Sequence, residues 1–135
     1  MTSPTLPTVT LSRLAGEYGI TRFGAEDPVP PGLLDRVAAA TFVSVTRTAS
    51  ELSIVAPIEY ALASDTDGPW VAWYVQGPIP FGLTGIIGSL AAPLAEVGCP
   101  AFVVSTFDSD VLMTPSGDAP RAIEALTAAG HVLRG

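Results

Sequence analysis

Few residues in this chain have the types and spacing needed to bind or transform a small molecule. A glycine-rich segment, PFGLTGII (80–87), leads into an apolar run, and Asp108 and Asp110 flank Ser109 in a polar turn. Glycine allows the backbone to approach a ligand closely, and the free N–H groups at a helix start attract an anion. A carboxylate can hold a cation. The sequence therefore offers donors for an anionic group and acceptors for a cationic one.

Groups for catalysis are scarce. The chain has one histidine, His131, one cysteine, Cys99, and no lysine. A nucleophile needs an adjacent base, and a metal site needs several ligands at set spacings. The run GLTGIIG also lacks the Walker lysine and the dinucleotide fingerprint. We therefore expect no enzyme activity, no metal and no cofactor, with an enzyme completed by a partner chain as the alternative.

Composition excludes several classes of partner. The chain has 135 residues, 48% of them hydrophobic and 14% charged, and a net charge of -7. This composition predicts one compact domain or two small fused ones, and the negative field would repel nucleic acid. No charged residue lies between Asp67 and Glu96, but glycines and prolines divide that stretch, so we expect no membrane span. The start MTSPTLPTVTL lacks the features of a signal peptide, which favours a cytoplasmic protein.

The second half of the chain predicts a regular order of elements. WVAWYVQG (70–77) is typical of a strand. Apolar residues at helical spacing then predict a helix that begins near Thr84 and ends at Gly98, with Pro93 inside it. PAFVVSTF (100–107) and VLMT (111–114) predict a hairpin.

A second helix is predicted after the hairpin, with Asp118 as its cap, Pro120 in its first turn and Gly130 at its end. Its inward-facing residues would be Ala122, Ile123 and Leu126. HVLRG (131–135) predicts the last strand. The order β-α-β-β-α-β is the ferredoxin-like α+β arrangement, in which two helices cover one face of an antiparallel sheet.

The first half is less regular. Residues 8–24 predict two strands around Ala15-Gly16-Glu17, and PPGLLDRVAAA (30–40) predicts a short helix. FVSVTRTASELSIVAP (42–57) aligns with AFVVSTFDSDVLMTP (101–115) at an offset of 59, which pairs Glu51 with Asp110. The alignment suggests two related halves, and chance similarity between two hairpins is the alternative. Residues 57–69 have the composition of a linker, so we predict halves at 1–63 and 69–135.

Three segments resemble a known family: TRTASELSIVAP, the long stretch from GPIPFGLTG to STFDSDVLM, and AIEALTAAGHVL. They are similar to the small tandem ACT-domain proteins that bind amino acids. These proteins are related in pattern to the cytosolic arginine sensors of animal cells and to the regulatory domains of aspartate kinases. The resemblance covers residues 42–133 and implies two ACT units with an amino-acid ligand at their junction.

The resemblance implies specific contacts for that ligand. Thr84, Gly85 and Ile86, at the helix start, would face its carboxylate, and Thr106 and Asp110 would face its ammonium group. On the neighbouring unit, Ser53 and Ile54 would line the ligand with main-chain groups and the serine hydroxyl.

Each of these roles has a purely structural alternative. The glycines could simply make a tight strand-to-helix turn, and the two aspartates could bond their own backbone within a turn. Ile54 could belong to the core, Ser53 could face solvent, and Glu51 could pair with Arg47.

The sequence thus favours an amino-acid-binding regulatory protein, expected to form a homodimer and to signal to a protein partner. The alternative function is a structural dimerisation module that uses no small molecule. In that case exposed aromatic residues would mark the contacts, with Trp70, Trp73, Tyr74 and Phe81 as candidates.

Overall fold

The computed structural model describes residues 6–37, 39–60, 65–76 and 84–135. The chain divides into two compact units. Residues Leu14–Val71 form one, which we call the strand unit. Residues Ala72–Gly135, with the N-terminal residues up to Arg13, form the other, which we call the helical unit. The elements in chain order are β1 (Thr10–Arg13), β2 (Tyr18–Phe23), β3 (Ser44–Arg47), β4 (Leu52–Pro57), β5 (Thr66–Val75), α1 (Ile86–Glu96), β6 (Phe102–Ser105), β7 (Asp110–Pro115), α2 (Ala119–Ala128) and β8 (Val132–Arg134).

The strand unit has the sheet order β3-β4-β2-β5, and its pairings are antiparallel. This is the strand order of a ferredoxin-like unit, with β4 and β2 in the centre. Its core is a cluster of buried residues from β4 and from the turn before β3, packed against partly buried hydrophobic neighbours. The buried members are Leu33, Leu52, Ile54 and Ala56.

The helix predicted at residues 30–40 is wrong. Among the described residues of this range the backbone makes successive turns, with bonds such as Leu33 N to Pro30 O (3.3 Å) and Asp35 N to Gly32 O (3.2 Å). Two consecutive prolines remove N–H donors, and Gly32 adopts a φ of 74°, which no α-helix accommodates. The apolar side chain of Leu33 still packs into the core. The apolar spacing of this segment therefore predicted burial correctly, but not the helical conformation.

The helical unit contains the second ferredoxin-like order with one addition. Its strands are ordered β6-β7-β5-β1-β8, so β1 lies between the first and last strands of the β-α-β-β-α-β repeat. β1 pairs antiparallel with β5 and parallel with β8. The α+β ferredoxin-like fold is therefore confirmed, but the sheet is not antiparallel throughout. Its core combines strand and helix residues, including Leu11, Trp73, Val75, Leu90, Leu94, Leu112 and Met113.

Helix α1 agrees with its predicted apolar stripe and its predicted end. Ile86, Leu90 and Leu94 are buried, whereas Val97 follows the helix and is partly exposed. At the end, Gly98 N bonds to Ala95 O (3.1 Å) and Cys99 N bonds to Leu94 O (2.9 Å). These two bonds form a Schellman motif, which the φ of 68° at Gly98 makes possible.

Helix α2 also ends in a glycine motif. Gly130 N bonds to Thr127 O (3.0 Å), and His131 N bonds to Leu126 O (3.1 Å). Two details differ from the prediction. Asp118 occupies the cap position without a side-chain cap bond and pairs with Arg121 (2.7 Å) instead. Ile123 is 37% exposed rather than facing inward.

The hairpins of the two units are equivalent at an offset of 58, so the predicted offset of 59 is wrong by one residue. Arg47 pairs with Leu52 across one hairpin, and Ser105 pairs with Asp110 across the other. Thr48 N bonds to Glu51 O (2.8 Å) in the first turn, as Thr106 N does to Ser109 O (2.8 Å) in the second. A slip of one residue exchanges the two faces of a strand. Asp110 therefore corresponds to Leu52 rather than to Glu51.

The units divide at a different point from the predicted halves, 1–63 and 69–135. β5 contributes to both units: Thr66, Asp67 and Trp70 pair with β2, and residues from Trp73 onward pair with β1. The residues expected to be a linker, 57–69, include a short 3-10 turn at Ile58–Tyr60 and the start of β5, with 61–64 outside the described residues. Within the described ranges, neither helix is long and apolar enough to cross a membrane.

Candidate functional site

The start of α1 has backbone donors that no described residue uses. The helix is preceded by Gly85, which has a φ of 90° and provides no side-chain cap. Ser89 N bonds to Gly85 O (2.9 Å). For the N–H groups of Ile86, Ile87 and Gly88, no acceptor is found among the residues that the structure describes. Three amides without an acceptor in the described part of the chain, at the positive end of a helix, form an arrangement that accepts a carboxylate.

The surroundings of these amides combine close packing with open space. A Cβ atom at Gly85 would lie 3.1 Å from Pro7 Cδ and 3.5 Å from Leu6 Cδ2, so the N-terminal segment packs against the residue before the helix. A Cβ atom at Gly88 would meet nothing within 4 Å. Thr84 is exposed, and the side chain of Ile86 is buried, so Ile86 can contribute only its backbone. Gly82 and Phe81 lie outside the described residues.

The turn between β6 and β7 presents a carboxylate. Ser105 Oγ donates a hydrogen bond to Asp110 Oδ1 (2.6 Å), and Asp110 is half-buried. Its carboxylate forms no salt bridge to any arginine or histidine in the described part of the chain. Thr106 is occupied within the turn, since its hydroxyl donates to Ser109 O (3.1 Å) and accepts from Ser109 N (3.2 Å). Asp110 is therefore a half-buried carboxylate that can attract a cation, whereas Asp108 in the same turn is exposed.

Contacts around the carboxyl end of β5 relate the turn to the helix start. Ser109 Oγ donates to Val75 O, the last carbonyl of β5. Gln76 N donates to Thr10 O (2.9 Å), and Pro7 lies at Gly85. The three residues from Pro7 to Thr10 span at most about 10 Å. The hairpin turn thus contacts the end of β5 directly, and the helix start is connected to it through residues 7–10.

The two remaining predicted residues lie in the strand unit. Ser53 is half-buried in β4, opposite Thr46 and Arg22 on the two neighbouring strands. Ile54 is 1% exposed within the core, and its strand has a partner on each side. The structure therefore gives the Ile54 side chain a packing role. Arg47 does not pair with Glu51, because it donates to the carbonyls of residues 25 and 27 (2.6 Å for the latter).

Sequence reasoning missed two contributors to this region. One is Ser109, which is buried and joins the turn to β5. Its signal was the spacing Thr-x-x-Ser, because a threonine hydroxyl at the first position of a turn bonds the backbone at the fourth. The other is the N-terminal segment from Leu6, whose contact with Gly85 before α1 no sequence pattern predicts.

Other chemically distinctive groups lie outside this region. Burial raises the pKa of the Cys99 thiol, so the thiolate that would react is disfavoured. A groove of about 320 Å³ runs between α1 and α2, lined by Pro93, Glu96, Val97, Arg121, Glu124 and Ala125. It contains none of the predicted ligand residues. No group of three possible metal ligands occurs in the described ranges.

Comparison with known proteins identifies the family. A family model described as the ACT domain matches residues 65–128, and a second, described as an N-terminal domain, matches residues 16–61. The chain is similar to a crystallised protein from Agobacterium tumefaciens, with 40% identity and a TM-score of 0.81. The alignment covers 94% of this chain and 92% of that one. A comparison with the curated proteins gave no match.

More distant solved structures share the fold. A protein of unknown function from Vibrio cholerae, described as a possible transport protein, is 19% identical with a TM-score of 0.70, and the alignment covers 90% of each chain. The regulatory subunit of aspartate kinase from Thermus flavus is 12% identical with a TM-score of 0.58, covering 93% of this chain and 99% of that one. The ACT match and the 40% identical relative, aligned over nearly its whole length, agree with the β-α-β-β-α-β order of the helical unit. The chain belongs to the ACT-domain family.

Proposed function

We propose that the protein is a regulatory ACT protein that binds a free amino acid at an interface between ACT units. The observation that carries the proposal is that the helical unit has two sets of groups, each of which can hold one charge of a ligand. Three amides at the start of α1 lack acceptors, and the Asp110 carboxylate lacks a cationic partner among the described residues. An amino acid carries one charge that suits each group.

Each predicted residue has a part in this proposal. The ligand carboxylate bonds to the backbone from Ile86 onward, with Gly85 allowing close approach and Thr84 at the rim. The ammonium group meets Asp110, and Thr106 holds the turn that presents it. Ser53 offers its hydroxyl to the ligand, and Ile54 supports the same strand from the core.

The offset between the two hairpins adds support for Asp110. Its counterpart in the strand unit is Leu52, which is fully buried. The strand unit has a core leucine at this position, and the helical unit has a half-buried carboxylate. Partial burial of a charge has a desolvation cost, which a bound cation would offset. A residue needed only for the turn would not require an acid at this position, since Thr106 and Ser109 already close it.

The regulatory role follows from this mode of binding. A ligand that joins two ACT units shifts the equilibrium between their packing states by the difference in its affinity for them. We propose that the protein acts in the cytoplasm as a homodimer and that a protein partner detects the shift. The proposal assigns the chain no catalytic step and no cofactor.

The test is a thermal unfolding series with each of the twenty amino acids. A ligand at 100 times its Kd stabilises the folded state by about 2.7 kcal/mol, which raises the Tm of a chain this size by several degrees. Asp110→Asn is expected to abolish most of that increase. Asp108→Asn is the matched control, because Asp108 is exposed in the same turn.

Two outcomes would contradict the proposal. If no amino acid raises the Tm, the structural dimerisation module becomes the better explanation. If an amino acid raises it equally in wild type, Asp110→Asn and Asp108→Asn proteins, the ligand binds elsewhere.

A further inference from the structure

The single histidine joins three parts of the helical unit. His131 is 4% exposed, at the start of β8. Its Nδ1 accepts a hydrogen bond from Val9 N (3.1 Å), and its Nε2 lies 2.9 Å from Ser89 O. Because Nδ1 is an acceptor here, the ring proton is on Nε2, which donates to Ser89 O. One neutral imidazole thus links the N-terminal segment, α1 and β8.

The bond to α1 uses a carbonyl that the helix itself leaves free. In a regular helix Ser89 O would accept from the N–H four residues later, but that residue is Pro93, which has none. His131 takes the place of the missing donor. Ser89 also determines the first turn, since Ser89 N bonds to Gly85 O (2.9 Å) and Ser89 Oγ bonds to Ile86 O (2.7 Å). The imidazole therefore acts on the part of α1 that has the unused amides.

The other side of the imidazole acts on the N-terminal segment, which we define as Leu6–Val9. Val9 O accepts from Val132 N (3.0 Å), so Val9 is fixed by both its backbone groups. Three residues earlier, Leu6 and Pro7 lie against Gly85, immediately before α1. The segment therefore contacts the helix start directly, through Pro7, and indirectly, through His131.

We propose that His131 couples the N-terminal segment to the start of α1, so that the seating of this segment regulates ligand binding there. The regulatory part rests on the proposed function, whereas the coupling itself does not. His131 is a positioning residue in this scheme. Since coupling is reciprocal, a ligand on the α1 amides holds the segment in place, and a partner that displaces the segment weakens ligand binding.

The coupling is tested first without ligand, by hydrogen exchange on the full chain. His131→Leu has a side chain of similar size that can make neither bond. We expect the amides of Val9 and Ser89 to exchange at least about tenfold faster than in wild type, because both lose the same support. Amides of β6 and β7 should keep their wild-type rates. Faster exchange at the Val9 amide alone, or an equal increase in the exchange rates of the β7 amides, would overturn the coupling.

Two further variants keep this test decisive. Val132→Ala is the matched control, since Val132 is the next residue and is 51% exposed. It should leave exchange at Ser89 unchanged. If His131→Leu fails to fold, the double variant Leu6→Ala with Pro7→Ala removes the other contact at residues that are not buried. It should accelerate exchange at Ser89, and a wild-type rate there would overturn the coupling.

The regulatory part is tested with the amino acid that gives the largest thermal shift. His131→Leu and the Leu6/Pro7 double variant should each raise its Kd several-fold. The combined variant should bind no more weakly than His131→Leu, because both changes act on one coupled unit. Unchanged Kd values would overturn the regulation while the proposed function stands. If no amino acid binds the wild type, the proposed function and its regulation fail together, and the exchange result alone decides the coupling.

Discussion

At the scale of single residues, Thr114 is a test of how buried polar groups affect stability. Its side chain is fully buried in β7, and its hydroxyl has no hydrogen-bond partner in the described part of the chain. Valine has nearly the same shape without the hydroxyl. Because an unsatisfied buried hydroxyl costs about 1 kcal/mol or more, Thr114→Val should raise the free energy of unfolding by about 1 kcal/mol in urea titrations.

Thr21 provides the opposite case for the same substitution. It is also buried, but its hydroxyl is 2.8 Å from the hydroxyl of Thr66 on the neighbouring strand. Thr21→Val removes that bond, so the free energy of unfolding should fall by about 1 kcal/mol. If both variants change stability in the same direction, hydrogen bonding is not what distinguishes the two sites.

The sequence predicted part of the candidate site at this scale. Gly85 and Asp110 could be named as candidate binding residues because a glycine at a helix start and an aspartate beside a turn have few alternative roles. Thr106 could also be chosen, but its hydroxyl is used within the turn. Ile54 is in the core, as the alternation of apolar Leu52, polar Ser53 and apolar Ile54 along one strand indicates. The spacing Thr-x-x-Ser indicates Ser109 as a turn residue. Its bond to Val75 and the contact of Leu6 with Gly85 join residues distant in sequence, which no local pattern predicts.

A charge at the start of α1 tests the element that forms the proposed site. Thr84 is exposed beside the unused amides. Thr84→Glu brings a negative charge to the helix start, where it should compete with the ligand carboxylate and raise the Kd about tenfold or more. Thr84→Gln has the same length without the charge and is expected to bind nearly as well as wild type. Equal Kd values for the two variants, measured by calorimetry, would show that the carboxylate binds elsewhere.

The end of the same helix offers a stability prediction. Gly98 has a φ of 68°, in the left-handed region, and completes the Schellman motif. Gly98→Ala should lower the free energy of unfolding by about 1 kcal/mol. Gly88→Ala is the control within α1: its Cβ would meet nothing within 4 Å, and alanine favours a helix by about 1 kcal/mol over glycine. Urea midpoints should shift in opposite directions, and a parallel shift would contradict this account of the helix end.

Elements were predictable where a local rule determines them. Both helices and their glycine ends followed from apolar spacing and cap residues, and the strands followed from β-branched runs. The helix predicted at 30–40 does not form because Pro30, Pro31 and Gly32 disfavour it more strongly than the apolar spacing of the following residues favours it. The insertion of β1 between β5 and β8 was not predictable, because strand neighbours depend on the whole topology.

At the scale of the whole molecule, the two units share a strand order but differ in what surrounds it. Both have a hairpin whose turn is closed by a threonine, at Thr48 and Thr106. In each, the strand after the turn ends in proline and continues into a 3-10 turn, at Ile58–Tyr60 and Ser116–Asp118. Only the helical unit has α-helices among its described residues, so only there does the structure show helix amides that can hold an anion. The ligand proposal therefore depends mainly on the helical unit.

The stability of the whole chain should decrease at alkaline pH. Burial raises the pKa of the Cys99 thiol above its ordinary value of 9.0 and that of the Tyr18 phenol above 10.0. Below about pH 9 both groups are neutral in the folded and the unfolded chain, and their contribution is fully present. As the pH rises further, the unfolded chain loses these protons first. The free energy of unfolding therefore falls until the pH exceeds the pKa values of the folded state.

Urea titrations between about pH 8 and about pH 10.5 measure this decrease, and two variants assign it. Cys99→Ala should flatten the curve where it first begins to fall, near pH 9, because no thiol remains to ionise. Tyr18→Phe should flatten it only above about pH 10. Tyr18→Phe also removes the acceptor of Phe42 N (3.3 Å), so its curve should start lower and then fall less steeply. Curves parallel to wild type for both variants would mean that neither buried group causes the alkaline loss.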